Sequence, residues 1–158
     1  MSEGIAHTLT HKYDLYGNSI VVHTTNLCSV YLLGETEESE SPYYVALNFE
    51  GVKCIRSVRS DCRPGLGIYP EDERKSYIVE LTNSTWASEA HSSYTYEGTP
   101  FTDEKRHFVI HNHDIFHEIL GTSFIEKLIS EGSEEYSCLL YTSPSPRDAT
   151  LSRMPSSA

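Results

Sequence analysis

Apolar positions come in short runs separated by polar segments rich in Gly, Pro, Ser and Asp, the pattern of strands joined by turns. Two such runs within Tyr13–His23 flank the turn dipeptide Gly17-Asn18 and predict a hairpin. Leu27–Leu33 is a further apolar run, closed by Gly34. The segment 35–42 places glutamates among serines and reads as a solvated loop. Tyr43–Phe49 and Val52–Val58 predict a strand pair, with Glu50-Gly51 as its tight turn. In the second of these, Val52, Cys54, Arg56 and Val58 share one face, and Lys53, Ile55, Ser57 and Arg59 the other. Alternation is imperfect, so both faces are expected to be partly covered. Asp61–Arg74 holds Pro64, Gly65, Gly67 and Pro70 and is a loop. Ser76–Leu81 predicts a strand, Ser84–Ala90 a short helix capped by Ser84, and Ser92–Glu104 another loop.

Arg106–Asn112 predicts the last strand. A principal helix is then expected from Asp114 to Ile129. Asp114 is a good N-cap, and Ile115, Phe116, Ile119, Leu120, Phe124, Leu128 and Ile129 give one apolar stripe at helical spacing. Gly121 interrupts that stripe at a cost of about 1 kcal/mol relative to Ala, which would suit close packing on a sheet. Gly132 is placed to end the helix. The fold class implied is α+β: an antiparallel sheet with one principal C-terminal helix packed on it and a short helix near 84–90.

The end of the chain has a different character. Cys-Leu-Leu-Tyr-Thr-Ser-Pro-Ser-Pro-Arg-Asp at Cys138–Asp148, and Ser-Arg-Met-Pro-Ser-Ser-Ala at Ser152–Ala158, resemble the in-frame translation of a transposase-type sequencing adapter. Ala149, Thr150 and Leu151 fit its variable index. The resemblance implies a single α+β domain over 1–137, truncated at its C-terminus, followed by a non-native, disordered tail over 138–158.

Composition changes the picture mainly through charge. The 158 residues carry a formal charge of −11, and without Arg147, Arg153 and Asp148 of the tail the remainder stands at −12. So acidic a chain repels nucleic acid and anionic lipid, and its charge suits a basic protein partner, imitation of a phosphate backbone, or simply solubility. Cys28, Cys54 and Cys62 outside the tail lack the spacing of a zinc-ligand pair and predict reduced thiols. The N-terminal residues lack a signal-peptide pattern, and no apolar stretch reaches membrane-spanning length. The expected setting is cytoplasmic. Gly65-Leu-Gly67 lacks the further glycine and following helix of a dinucleotide site. Tyr94 and Tyr96 suit either core or loop packing, the commoner use of such residues, or contact anchors, and the loop glutamates Glu37 and Glu38 are further partner-facing candidates.

Candidate chemistry concentrates in His107-Phe-Val-Ile-His111-Asn-His113-Asp114-Ile-Phe-His117-Glu118. On a strand, His107, His111 and His113 would share a face and could chelate a metal, zinc being the natural candidate. If a helix began at His113, then His113 and His117 would lie at i and i+4. His-Asp-x-x-His is a near miss of the zincin motif, with Asp114 one methylene short of the usual Glu. A third ligand would come from Glu118, His91 or Asp103. The two geometries compete for His113. Without any ligand, the same residues make a polar strand face beside an exposed helix start.

Ser76-Tyr-Ile-Val-Glu-Leu-Thr-Asn-Ser-Thr-Trp86, followed by Arg106-His-Phe-Val-Ile-His-Asn-His-Asp-Ile-Phe-His-Glu-Ile-Leu120 and Phe124, resembles a pattern in small bacterial α+β proteins. Some of those are similar to the acidic immunity proteins that accompany bacterial toxins. The resemblance spans Tyr43–Ile129 and supplies no catalytic residues. It implies a non-enzymatic interaction or inhibitor protein with a basic partner such as a toxin. A metal-dependent hydrolase built on the histidine segment is the alternative, and an accessory structural domain a third.

Overall fold

The computed structural model describes residues 2–94 and 104–142. Among them the order of elements is β1 (Gly4–Thr8), β2 (Ser19–His23), β3 (Leu27–Leu33), β4 (Tyr43–Glu50), β5 (Cys54–Arg59), β6 (Tyr77–Leu81), α1 (Thr85–Ser92), β7 (Arg106–Asn112), β8 (Ile115–Gly121), β9 (Ser123–Ser130) and α2 (Glu134–Thr142). The strands form two sheets with only antiparallel pairings. One has five strands in the order β1-β6-β7-β8-β5, the other four in the order β2-β3-β4-β9. The fold is broadly α+β, dominated by sheet, with a C-terminal helix.

The main core lies between the sheets. Cys28, Val30, Leu32, Val45, Leu47 and Phe49 from the four-stranded sheet meet Ile78, Phe108, Ile110 and Ile119 from the other. Phe49, Phe108 and Phe124 interlock with centroid separations of 5.3 to 5.6 Å, bridging the two layers. Each outer face also has a cover. Leu66, Ile68 and Tyr77 pack over Val79, Leu81, Val109 and Phe116 of the five-stranded sheet. Tyr136 and Leu139 of α2 pack with Ile20, Tyr44, Ala46 and Ile129 of the other.

The chain passes between sheets at one corner. Gly51 turns with φ +62°, and a Cβ there would lie 2.2 Å from Thr122 Oγ1. The Thr122 amide donates to the Glu50 carbonyl at 2.8 Å, and the Lys53 amide to the Leu120 carbonyl at 2.9 Å. A left-handed backbone with no room for a side chain is what requires glycine at this point.

Several expectations change. The helix expected over 114–129 is two strands, β8 and β9, that belong to different sheets. Six of the seven β8 residues are buried. With both faces covered, alternation disappears, and a run of Ile, Phe and Leu then imitates a helical stripe. Asp114 is not a helix cap but the second residue of the turn joining β7 to β8, after His113 in a left-handed conformation (φ 53°). Gly132 (φ +90°) turns the chain between β9 and α2.

The strands expected at 43–49 and 52–58 exist, but they do not pair. Gly51 sends them to different sheets, where β4 pairs with β3 and β9, and β5 with β8. Likewise β2 pairs with β3 rather than with a strand in 13–16, and Tyr13 makes only an isolated bridge to Gly34. The short helix is present as α1, and Ser84 Oγ accepts from the Ala87 amide at 3.0 Å as its cap. Cys138–Thr142, expected to be disordered, form the second half of α2, where Leu139 is 5% exposed. That side chain finds apolar cover, which outweighs the lack of structure its composition suggested. Residues 143–158 lie outside the described residues.

Candidate functional site

The β7–β8 hairpin divides the histidine segment between two environments. Side chains alternate along β7, so His107 and His111 point to the outer face of the five-stranded sheet. His117 on β8 is opposite Ile110 and points inward. His113 occupies the exposed turn, 3.0 Å from the Asp114 carboxylate. The structure therefore does not gather the four histidines into one ligand set, and the i, i+4 geometry is absent because 113–117 is not helical. Among the described residues no group of three or more His, Cys, Asp or Glu side chains is arranged to hold a metal. Asp103 lies outside the described residues.

Each histidine has a distinct role in the packing. His111 stacks on Phe116 at 4.4 Å, and partial burial lowers its pKa. His117 is 7% exposed and sits between two hydroxyls. Its Nε2 is 2.9 Å from Ser19 Oγ, across the sheet interface, and its Nδ1 is 2.8 Å from Ser57 Oγ on β5. Burial holds its pKa below the ordinary value.

His107 belongs to a cluster that reading along the chain does not reveal. Its Nε2 is 2.7 Å from Glu118 Oε1, and its Nδ1 is 2.6 Å from Ser84 Oγ. The Glu118 side chain is fully buried. Arg56, its neighbour across β5, donates from Nε at 3.0 Å and Nη2 at 3.3 Å. Arg63 from the loop after β5 brings Nη1 to 2.8 Å from Oε1. That contact is an ion pair without hydrogen-bond alignment, and neither Nη1 nor Nε of Arg63 has a hydrogen-bond partner. Burial alone would raise the Glu118 carboxyl. The contacts from His107, Arg56 and Arg63 outweigh it and lower the pKa to about 2.

Trp86, the second residue of α1, closes this arrangement. Its ring lies 4.0 Å beneath the Arg56 guanidinium and meets His107 edge-on at 5.1 Å. A cleft of about 770 Å³ opens beside the cluster, lined by Arg56, Arg63, Leu66, Ser84, Trp86 and His107 among others. The signals in the sequence were a lone glutamate inside an apolar strand and two arginines in and after β5. Neither says that they meet.

A second feature lies at the edge of the other sheet. The register Tyr43↔Ser130 sets the loop before β4 beside the turn after β9. Glu35, Glu37, Glu38 and Glu40 are thereby brought to the same end as Glu131, Glu134 and Glu135. All are exposed except the half-buried Glu135. Two lysines answer them: Lys12 is 3.5 Å from Glu35, and Lys127 is 3.0 Å from Glu135. The carboxylates are felt nearby. After burial, Glu40 and Glu35 raise the Tyr43 pKa, and Glu131 that of Tyr136. A groove of about 800 Å³ runs between these segments, lined by Lys12, Ser41, Tyr43, Leu128 and Glu131 among others.

Of the partner-facing candidates, Glu37 and Glu38 lie at this acidic end. Tyr94 is half-buried near Lys53, at the opposite end of β4, so the structure does not join it to them. Tyr96 lies outside the described residues. The Cys28 thiol is fully buried, which pushes its pKa up to about 11. No helix among the described residues is long and apolar enough to cross a membrane. No protein-family model matches the chain, and neither a curated protein nor a solved structure matches it.

Proposed function

We propose that this is an acidic interaction protein, of immunity or inhibitor type, that presents the end formed by 35–40 and 131–135 to a basic protein partner. The observation that carries this reading is the convergence of two glutamate-rich segments, distant in sequence, at one end of the β4–β9 ladder. Seven glutamates there face two lysines, whereas the other acidic loop, 71–75, sets Glu71, Asp72 and Glu73 against Arg74 and Lys75. Arg74 already binds Asp72 at 3.0 Å. Seven glutamates against two lysines leave five negative charges in excess at that end, a patch that would steer a cationic surface into contact.

The adjoining groove gives such a surface something to enter. Leu128 and Tyr43 offer apolar contact beside the Glu131 carboxylate, a combination suited to the stem and head of a lysine or arginine. The same field disfavours nucleic acid and anionic membranes. A cytoplasmic setting and a toxin-like partner belong to this proposal. Titration of the ¹⁵N-labelled protein with a lysine-rich peptide tests it. Amides of 35–43 and 128–135 are expected to shift first, and a response spread evenly over the surface would count against it.

A further inference from the structure

The cleft on the outer face of the five-stranded sheet carries a second function, independent of the acidic end. We propose that Ser84, His107 and Glu118 form a nucleophile–base–carboxylate relay that hydrolyses small esters, with a preference for substrates bearing an anionic group.

The hydrogen-bond roles follow from the chemistry of the three groups. Glu118 is held ionised by two guanidiniums, so it only accepts, and His107 Nε2 must carry the proton that joins them at 2.7 Å. The lone pair of the neutral ring is then on Nδ1, where the Ser84 hydroxyl donates at 2.6 Å. This is the relation of hydroxyl, base and orienting acid found in serine hydrolases, with the two ring nitrogens exchanged relative to the usual Ser–His–Asp order. His107 is 3% exposed and Glu118 fully buried, so the base is fixed in place, while the half-buried Ser84 lines the cleft.

Placement of the serine supports the reading. The chain leaves β6 at Leu81, turns, and enters α1 at Thr85, with Ser84 at the junction. The first amides of a helix lack intrahelical acceptors. Those of Thr85 and Trp86 therefore lie next to the nucleophile, where a developing oxyanion needs donors. Two guanidiniums against one carboxylate leave the cleft with a positive excess, in a protein of charge −11. Arg56, 44% exposed and stacked on Trp86, is the group positioned to hold an anionic substituent.

In the reaction, the Ser84 proton passes to His107 Nδ1 as Oγ bonds to the ester carbonyl carbon and the carbonyl electrons move onto oxygen. Collapse of this intermediate breaks the ester C–O bond, and the leaving alkoxide takes the proton from His107. Water attacks the acyl-serine by the same route, releasing the acid and restoring the Ser84 hydroxyl. No co-reactant beyond water is required.

The test is labelling of the full chain with a fluorophosphonate, with the adduct located by peptide mass spectrometry, alongside hydrolysis of 4-nitrophenyl acetate and mono-4-nitrophenyl glutarate. The expected result is a single adduct on Ser84 and faster turnover of the anionic ester. Ser84→Asn keeps an N-cap acceptor for α1 but has no nucleophile, so it should remain folded and lose about 100-fold or more in turnover. Glu118→Gln should lower kcat while leaving KM nearly unchanged, because the amide no longer provides the charged acceptor that keeps the proton on His107 Nε2 and the lone pair on Nδ1 facing Ser84. A purely structural network would show no such split in folded protein. No adduct on folded wild-type protein, or an adduct only at another residue, would overturn the proposal.

Discussion

Replacing Glu118 by glutamine removes one buried charge while keeping the side chain's shape. Arg56 is 44% exposed and can turn to water, but Arg63 at 17% and His107 at 3% keep their places and lose a partner. The fall of the Glu118 pKa from 4.5 to about 2 corresponds to about 3 kcal/mol of stabilisation of the ionised form. The folded carboxyl binds its proton more weakly than the unfolded one. Its contribution is therefore complete above about pH 5 and is lost as pH falls from about 4.5 towards 2. Glutamine behaves like the protonated acid at every pH. Urea denaturation should thus show Glu118→Gln less stable than wild type by about 3 kcal/mol at pH 7, shrinking to about 1 kcal/mol at pH 3. A gap below about 1 kcal/mol at pH 7, or one that does not narrow at pH 3, would refute the description of this cluster as a net stabilising ion network.

Two further outcomes follow from the same physics. His117 is buried and neutral, with its folded pKa depressed, so the unfolded chain takes up the proton first as pH falls. Stability should decrease below about pH 6.5, and His117→Asn should flatten that dependence in urea melts between pH 7.5 and 5.5; identical slopes would remove His117 as a cause. Gly51→Ala forces a side chain into a left-handed backbone and against Thr122, so thermal unfolding should show a loss of about 1–3 kcal/mol. A loss under about 0.5 kcal/mol would mean that the corner relaxes freely.

The sequence was legible where local chemistry decides structure. Leu27–Leu33 and Arg106–Asn112 are strands with the expected bounds, and Ser84 caps a short helix because its hydroxyl can reach the first-turn amides. It was misread where tertiary burial overrides periodicity. Ile115–Ser130 is apolar at helical spacing only because most of β8 is covered on both faces, and Gly121, the breaker that ends β8, is equally compatible with a helix packed closely on a sheet. Pairing was equally hidden: Glu50-Gly51 has the form of a hairpin turn, yet Gly51 serves a change of sheet.

The candidate site shows the same division. The histidine segment drew attention to β7 and β8, but not to the company its members keep there. His107 meets Glu118 because β7 and β8 form a hairpin, the element replaced by a helix in the sequence-based expectation. Arg63 and Ser84 arrive from loop and cap positions with no periodic signal at all. The glutamates of 35–40 were recognised as solvated, but only the β4–β9 register brings those of 131–135 alongside them.

The binding reading is tested most directly by the peptide titration, followed residue by residue in ¹⁵N–¹H spectra at low ionic strength. Saturable shifts centred on 35–43 and 128–135, abolished by combined Glu37→Lys, Glu38→Lys, Glu131→Lys and Glu134→Lys substitution and weakened by salt, are the predicted result. Equal shifts around Glu71–Glu73, or binding unchanged by the four substitutions, would contradict it.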